Sequence, residues 1–289
     1  TFGSNPELSE PFLKKVCKSS ILSSILSFAQ FQEDKALKKT DAKKKISRVM
    51  GIPKLEDANK AGTSQSSKCT LIITEGDSAK ALAMSGLSVV GRDFYGVFPL
   101  RGKMLNVRDA TSTQIVDNAE ITHLKQIIGL QQNKVYNDRS SLRYGHIMIM
   151  TDQDHDGSHI KGLLINMFAH FWPSLLKTDG FLTEFITPIV KISKAKNVGS
   201  ARDAQSFYTL PEFEQWRESH NGGKGFNTKY YKGLGTSTSA EAKVYFSNID
   251  SHQIPFHYKD DKCTKLIEMV FSKSTADERK NWLGTFLPG

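Results

Sequence analysis

His146-Ile147-Met148-Ile149-Met150-Thr151-Asp152-Gln153-Asp154-His155-Asp156-Gly157 is the stretch on which the fold turns. His146 to Met150 is a short run of mostly apolar side chains, the pattern of a strand buried on both faces. It ends in three acids at alternate positions and a glycine. Beyond them Ile160, Leu163, Leu164, Met167, Phe168, Phe171 and Leu175 recur at helical spacing and predict a helix with one apolar stripe. The same order of parts occurs upstream. Thr70-Leu71-Ile72-Ile73 is a second buried-type strand, and Glu75-Gly76-Asp77-Ser78 turns the chain. Asp77 or Ser78 is expected to cap a helix beginning at Ala79. Strands alternating with helices predict an α/β fold with a mostly parallel sheet flanked by helices.

In open parallel sheets ligand sites form at the carboxyl ends of the strands. Glu75 follows one such strand, and Asp152, Asp154 and Asp156 follow the other. If the strands are neighbours, the acids converge. Two carboxylates about 5 Å apart repel by roughly 3 kcal/mol at an effective dielectric of about 20. A hard divalent cation reverses that sign, because Mg²⁺ takes carboxylate and water oxygens together with substrate phosphate. Asp-x-Asp-x-Asp-Gly also opens an EF-hand calcium loop, but the twelfth position of that loop, which needs a bidentate Glu, is Leu163 here. A solvated acidic turn beside an unrelated glutamate is the remaining alternative, and residue chemistry alone leaves it open.

Working outward, the 289 residues carry a formal net charge of +9, which favours a polyanionic partner, nucleic acid first and an acidic membrane second. Cys17, Cys69 and Cys263 are widely spaced and form no C-x-x-C pair, so neither a disulfide framework nor a zinc site is implied. No apolar run is long enough to span a bilayer, and no signal peptide is expected. The start at Thr1 and the stop on Pro288-Gly289 suggest a piece of a longer protein. Leu22, Ile25, Leu26, Ala29 and Leu37 predict an N-terminal helix, which runs into the basic tract Lys35 to Arg48, read as a solvated face. Gly62 to Ser67 reads as a small polar linker, and Lys194 to Ala204 and Asn221 to Gly225 as polar loops. Short strands are expected at Phe207 to Leu210 and Lys229 to Tyr231. Helices are expected near Ser239 to Phe246, Cys263 to Phe271 and Thr275 to Phe286. Together they make an α+β extension packed on the first domain.

Two basic segments are rich in phosphate-binding groups: Pro99-Leu100-Arg101-Gly102-Lys103-Met104-Leu105-Asn106-Val107-Arg108 and Tyr231-Lys232-Gly233-Leu234-Gly235-Thr236-Ser237. Gly102 is expected to let the backbone approach a ligand closely. Either segment alone is an ordinary basic loop; beside a carboxylate cluster the pair supports phosphate binding. Gly96 to Lys103 lacks the second glycine of a P-loop, Gly233-Leu234-Gly235 lacks the third glycine of a dinucleotide fingerprint, and His155 and His159 lack the intervening Glu of a zinc protease, being read instead as hydrogen-bonding residues at a helix start.

Four motifs in order resemble the type IIA DNA topoisomerases, and their spacing is more similar to the eukaryotic enzymes than to bacterial gyrase. They are Glu75-Gly76-Asp77-Ser78-Ala79; Pro99 to Lys103 with Asn106-Val107; Asp152-Gln153-Asp154-His155-Asp156-Gly157 running on to Leu163; and Tyr230-Tyr231-Lys232-Gly233-Leu234-Gly235-Thr236-Ser237. The resemblance implies the end of a transducer region, a helical segment and a linker over 1–68, a Rossmann-like Toprim domain over 69–186, and an extension leading toward a winged-helix domain over 187–289. It implies Mg²⁺, with Mn²⁺ or Ca²⁺ able to substitute, on Glu75, Asp152 and Asp154, and Asp156 as a nearby acid. It implies that Arg101, Lys103, Asn106 and Lys232 contact double-stranded DNA, and that Gly76, Asp77 and Arg101 flank the cleavage site where poisons bind. The family's activity is reversible double-strand cleavage and passage of a second duplex at the expense of ATP, in a nuclear homodimer. The resemblance implies that the catalytic tyrosine lies in the winged-helix domain past Gly289 and the ATP-binding domain before Thr1, so the fragment alone is expected to be inactive. Metal ligation is the first role implied for Glu75, and proton relay to the leaving 3′-oxygen a second. A nuclease, a primase or a DNA-binding module with a structural metal are the rival readings.

Overall fold

The structure is a computed structural model that describes residues 8–42, 46, 48–194 and 204–285. Two helices open the chain, α1 (Glu10–Lys18) and α2 (Ser20–Lys38), and the apolar positions read from the sequence lie on α2. Most of α2 is exposed; only Leu37, at its end, is buried. Part of the basic tract, 43–45 and 47, lies outside the described residues. The segment read as a polar linker is packed: Ser66 is buried and its hydroxyl donates to the Leu142 carbonyl at 2.7 Å. Its small polar residues reflect close backbone packing rather than a free tether.

The alternating region follows as β1 (Thr70–Thr74), α3 (Gly76–Val90), β2 (Tyr95–Pro99), α4 (Ser112–Asp117), α5 (Ala119–Ile128), β3 (His146–Met150), α6 (His155–Phe171), α7 (Pro173–Leu176) and β4 (Leu182–Phe185). Three differences from the sequence reading have local causes. The helix after β1 begins at Gly76, so Asp77 and Ser78 lie within its first turn, and its N-cap, Glu75, makes no side-chain capping bond. The stripe after β3 is broken at Trp172-Pro173, because proline cannot continue the hydrogen-bond ladder, and Leu175 therefore belongs to α7. Pro99 and Gly96 disguise β2, which as an edge strand tolerates both.

The chain continues through β5 (Val190–Lys194), β6 (Gln205–Phe207), α8 (Leu210–Ser219), β7 (Phe226–Tyr230), α9 (Ser239–Ser247), β8 (Gln253–Pro255), α10 (Asp261–Phe271) and α11 (Ala276–Thr285). The strand expected to reach Leu210 stops at Phe207, since Thr209 caps α8 by accepting the Glu212 N–H and Pro211 sits in its first turn. The loop Lys194 to Ala204 falls mostly outside the described residues. No helix among the described residues is long and apolar enough to cross a membrane.

The main sheet has the order β2-β1-β3-β4-β8, with the first four strands parallel and β8 antiparallel to β4. Side chains alternate across it. Leu71, Ile73, Ile147 and Ile149 face one core with Leu124, Ile128, Leu164 and Phe168 from α5 and α6. Ile72, Val97, Met148 and Met150 face a second core with Leu82, Leu87, Tyr245 and Phe246 from α3 and α9. Burying each such aliphatic side chain contributes about 2 kcal/mol, so the two cores fix the strands' register firmly. A smaller sheet, β6-β5-β7, is antiparallel and packs Val190, Ile192 and Phe207 against Phe213 and Trp216 of α8.

Candidate metal and phosphate site

Register builds the site. Thr74 pairs with Pro99 on one side and with Met150 on the other, so β1, β2 and β3 end at one level. Glu75 is one residue past that level, and Arg101 and Asp152 are two. The crevice between β1 and β3, where connections leave for opposite sides of the sheet, is the place where such folds bind ligands. The Asp152 N–H donates to Glu75 Oε2 at 3.2 Å, tying the two acidic segments together.

Each acid has its own neighbour. Asp152 Oδ1 accepts the Leu234 N–H at 2.6 Å. Asp154 is the N-cap of α6, its Oδ1 accepting the Gly157 N–H at 2.8 Å. Asp156, on the exposed first turn of α6, pairs with Lys103 Nζ at 2.8 Å, and that lysine holds its carboxyl below the usual range. Glu75 is different. Burial raises its carboxyl, and the charges of Asp152, Asp154 and Asp156 push the same way, against the Asp152 N–H that favours the ionised form. His155 and His159 are both exposed at the start of α6.

The basic groups divide. Arg101 and Lys103 are exposed on the loop after β2, where Gly102 adopts φ +84° with no atom within 4 Å of where a Cβ would stand. Gly102 thus takes a left-handed turn that favours glycine and leaves open space where a Cβ would stand. Lys232 is exposed and lines a cleft of about 360 Å³ with Glu75, Ser78, Asp152, Gly233, Gly235 and Thr236. Asn106 faces inward: its Nδ2 donates to the Phe271 carbonyl at 2.7 Å, and its Oδ1 accepts from Arg108 N–H and Asn166 Nδ2. Asp77, exposed, pairs with Lys54 at 2.5 Å, and Gly76 has φ +82°.

The grip of the Gly233-Leu234 backbone on Asp152 went unread in the sequence. A Cβ on Gly233 would stand 2.2 Å from Asp152 Oδ2. A glycine in a basic loop carries no sign of which side chain will lie against it.

Acids gathered at the switch point of a parallel sheet, with a basic loop beside them, define a Toprim domain, and the Toprim domain family matches residues 70–188. The C-terminal associated domain of TOPRIM matches residues 185–289. The chain is 55% identical to the DNA topoisomerase 2 of Arabidopsis thaliana over 290 aligned positions, covering 100% of this chain and 19% of the relative. It is 52% identical to that of Saccharomyces cerevisiae, covering 100% of this chain and 20% of the relative. It is 55% identical to rat DNA topoisomerase 2-alpha, covering 99% and 18%. The DNA-binding, cleavage and re-ligation domain of Plasmodium falciparum topoisomerase II superposes with a TM-score of 0.79 at 56% identity, over 84% of this chain and 32% of that one. The chain belongs to the eukaryotic DNA topoisomerase 2 family. It spans about a fifth of the length of the curated relatives it matches.

A Toprim domain in this family implies a divalent metal ion. Among the described residues no three His, Cys, Asp or Glu side chains form a ready-made cage. The donor set nevertheless fits a hard cation: carboxylate oxygens only, with Glu75 and Asp152 lining the cleft and Glu75 raised by burial and by the charges of its neighbours. The buried Thr151 hydroxyl, next to Asp152, has no hydrogen-bond partner among the described residues. Mg²⁺ is commonly held by one or two carboxylates, with water and phosphate completing the shell, and such a site needs no closed cage.

Proposed function

We propose that this chain is the cation-binding and DNA-holding part of a type II DNA topoisomerase that cuts both strands, passes a second duplex and religates, with ATP hydrolysed elsewhere in the protein. Residues 69–186 form the cation-binding unit, 1–68 lead into it, and 187–289 carry it toward the tyrosine-bearing domain. Glu75, Asp152 and Asp154 hold Mg²⁺, or Mn²⁺ or Ca²⁺ in its place, with Asp156 beside them. A bound Mg²⁺ supplies charge compensation to the phosphoryl group and the departing oxygen. The chain's own residues orient the strand: Arg101 and Lys103 on one rim and Lys232 on the other are placed to grip phosphates, and Gly76 and Asp77 flank the cleavage site. Asn106 supports this loop through its internal bonds, and the second hydrogen on its Nδ2 is the one left to offer DNA. The full protein acts as a nuclear homodimer on double-stranded DNA.

The observation that carries this reading is the contact between strand ends, Asp152 N–H on Glu75 Oε2, with the basic loop after β2 at the same level. The test replaces the matching segment of the Saccharomyces cerevisiae enzyme with this chain and assays covalent protein–DNA adducts with magnesium. Adducts are expected, and are expected to vanish in the Asp152→Asn, Asp154→Asn double variant while DNA binding at low salt persists. Free DNA ends without adducts would indicate a nuclease instead. Unchanged adduct formation by the double variant would remove the cation assignment.

A further inference from the structure

The Lys232 to Ser237 loop approaches the acids with its backbone as well as with its lysine. Gly233 is extended, φ −175° and ψ 176°, a conformation open to any residue. Glycine is therefore not required there by the backbone. What requires it is Asp152, whose Oδ2, Cγ and Oδ1 lie 2.2, 2.7 and 2.9 Å from the place of a Cβ. The next peptide donates its N–H to Oδ1 at 2.6 Å. Leu234 is buried with Ile72, Ala79, Leu82 and Met150 in the core under α3 and α9, which fixes that N–H in place. On the opposite side a Cβ on Gly157 would stand 2.1 Å from the Asp152 carbonyl oxygen, and the Asp152 N–H is held by Glu75. Asp152 is thus located from three directions, and its carboxylate is located by the extension rather than by the sheet that carries it.

The geometry points to the Gly233–Leu234 peptide as the positioning element for Asp152, so that the extension, and not the parallel sheet alone, sets the affinity of the acid cluster for its cation. An ionised carboxylate has about four acceptor positions, so the Leu234 N–H occupies one and leaves the others for a cation. Ligating carboxylates held by such outer partners typically lose about 10-fold to 100-fold in metal affinity when the partner is removed. This inference rests on the cation reading above, and the measurements separate the two.

Leu234 is the first residue of a 3₁₀ turn and follows an extended residue, a place that accepts proline. Leu234→Pro deletes the N–H, whereas Leu234→Ala keeps it and loses the buried side chain, so the pair separates the hydrogen bond from packing. The readout is Mn²⁺ binding to this chain by electron paramagnetic resonance, with urea unfolding as the check on folding. Leu234→Pro is expected to bind Mn²⁺ about 10-fold more weakly than Leu234→Ala. Gly233→Ala is expected to lose a similar factor without a comparable loss of stability, and saturating Mn²⁺ should restore the full stoichiometry. Should Leu234→Pro not fold, Gly233→Ala decides by itself. Wild-type Mn²⁺ affinity in Gly233→Ala overturns the inference, as does equal affinity in the two Leu234 variants. If Asp152→Asn also leaves Mn²⁺ binding unchanged, it is the cation reading that fails.

Discussion

Glu75 and Glu241 are both half-buried glutamates, and their surroundings are opposite. Glu75 stands among three other acids, and burial first and their charges second raise its carboxyl. Glu241, on α9, accepts from Tyr231 and lies against Lys191 and Lys229. Burial works to raise the Glu241 carboxyl, but the Thr238 N–H, the Tyr231 hydroxyl and the two lysines outweigh it and hold it at about 2. Lys191 is itself placed between the Tyr231 and Tyr245 rings and donates to the Tyr245 hydroxyl at 2.8 Å. The acid that joins the extension to itself is over-compensated, and the acid at the sheet switch point is under-compensated. A carboxylate that structure alone requires is paired within the structure. One left among like charges signals a partner from outside.

The comparison breaks first at the acidic end. Asp152→Asn with Asp154→Asn should lower magnesium-dependent cleavage in the yeast-enzyme chimera by on the order of 10³-fold, because several kcal/mol of transition-state charge compensation are lost. The urea midpoint of the isolated chain should barely change. At the other end, Glu241→Gln should cost about 2 kcal/mol in urea unfolding at pH 7, by leaving Lys191 without its counter-charge, while Mn²⁺ affinity stays at the wild-type value.

The same residue sharpens the contrast through pH. The folded carboxyl of Glu241, at about 2, lies below the ordinary 4.5, so its stabilisation is present above 4.5 and is lost as pH falls from 4.5 toward 2. Unfolding free energy of the wild type should fall through that window, and that of Glu241→Gln should fall less. For the exposed rim, Lys103→Ala should reduce the salt slope of DNA binding by about one and leave stability nearly unchanged. The smallest effect has the opposite sign. Since ionised Glu75 is held at a cost in the metal-free chain, Glu75→Gln should raise the urea midpoint slightly at pH 7. A fall in that midpoint would mean that the two glutamates are equivalent and that the contrast is wrong.

Much of the fold could be read from residue order. β1 and β3 carry unbroken apolar runs and α6 and α10 apolar stripes at helical spacing, and each forms where those patterns lie. Four strands escaped reading: β2, β4, β5 and β8. β4 has four residues, and β5 alternates Val190 and Ile192 with Lys191, Ser193 and Lys194 as it runs into a polar loop. β8 has three residues, and β2 contains Gly96 and Pro99. α8 was hidden behind Phe207 and Tyr208, although Thr209-Leu210-Pro211-Glu212 has the form of a capped helix start. At the site, the presence of Glu75, Asp152 and Asp154 after apolar strands was legible. The inward turn of Asn106 was not, because its partners Phe271 and Asn166 lie 165 and 60 residues away.

The sequence by itself determined that two apolar strands end in acids, that basic loops accompany them and that the four motifs follow a known family order, because these are local patterns of residue type. Only the tertiary structure decided that β1 and β3 are neighbours in register, that Lys103 answers Asp156, and that a glycine from the extension closes on Asp152. Those facts depend on contacts between residues far apart in the chain. Such contacts are selected by how two cores pack on opposite faces of one sheet, which residue order does not spell out.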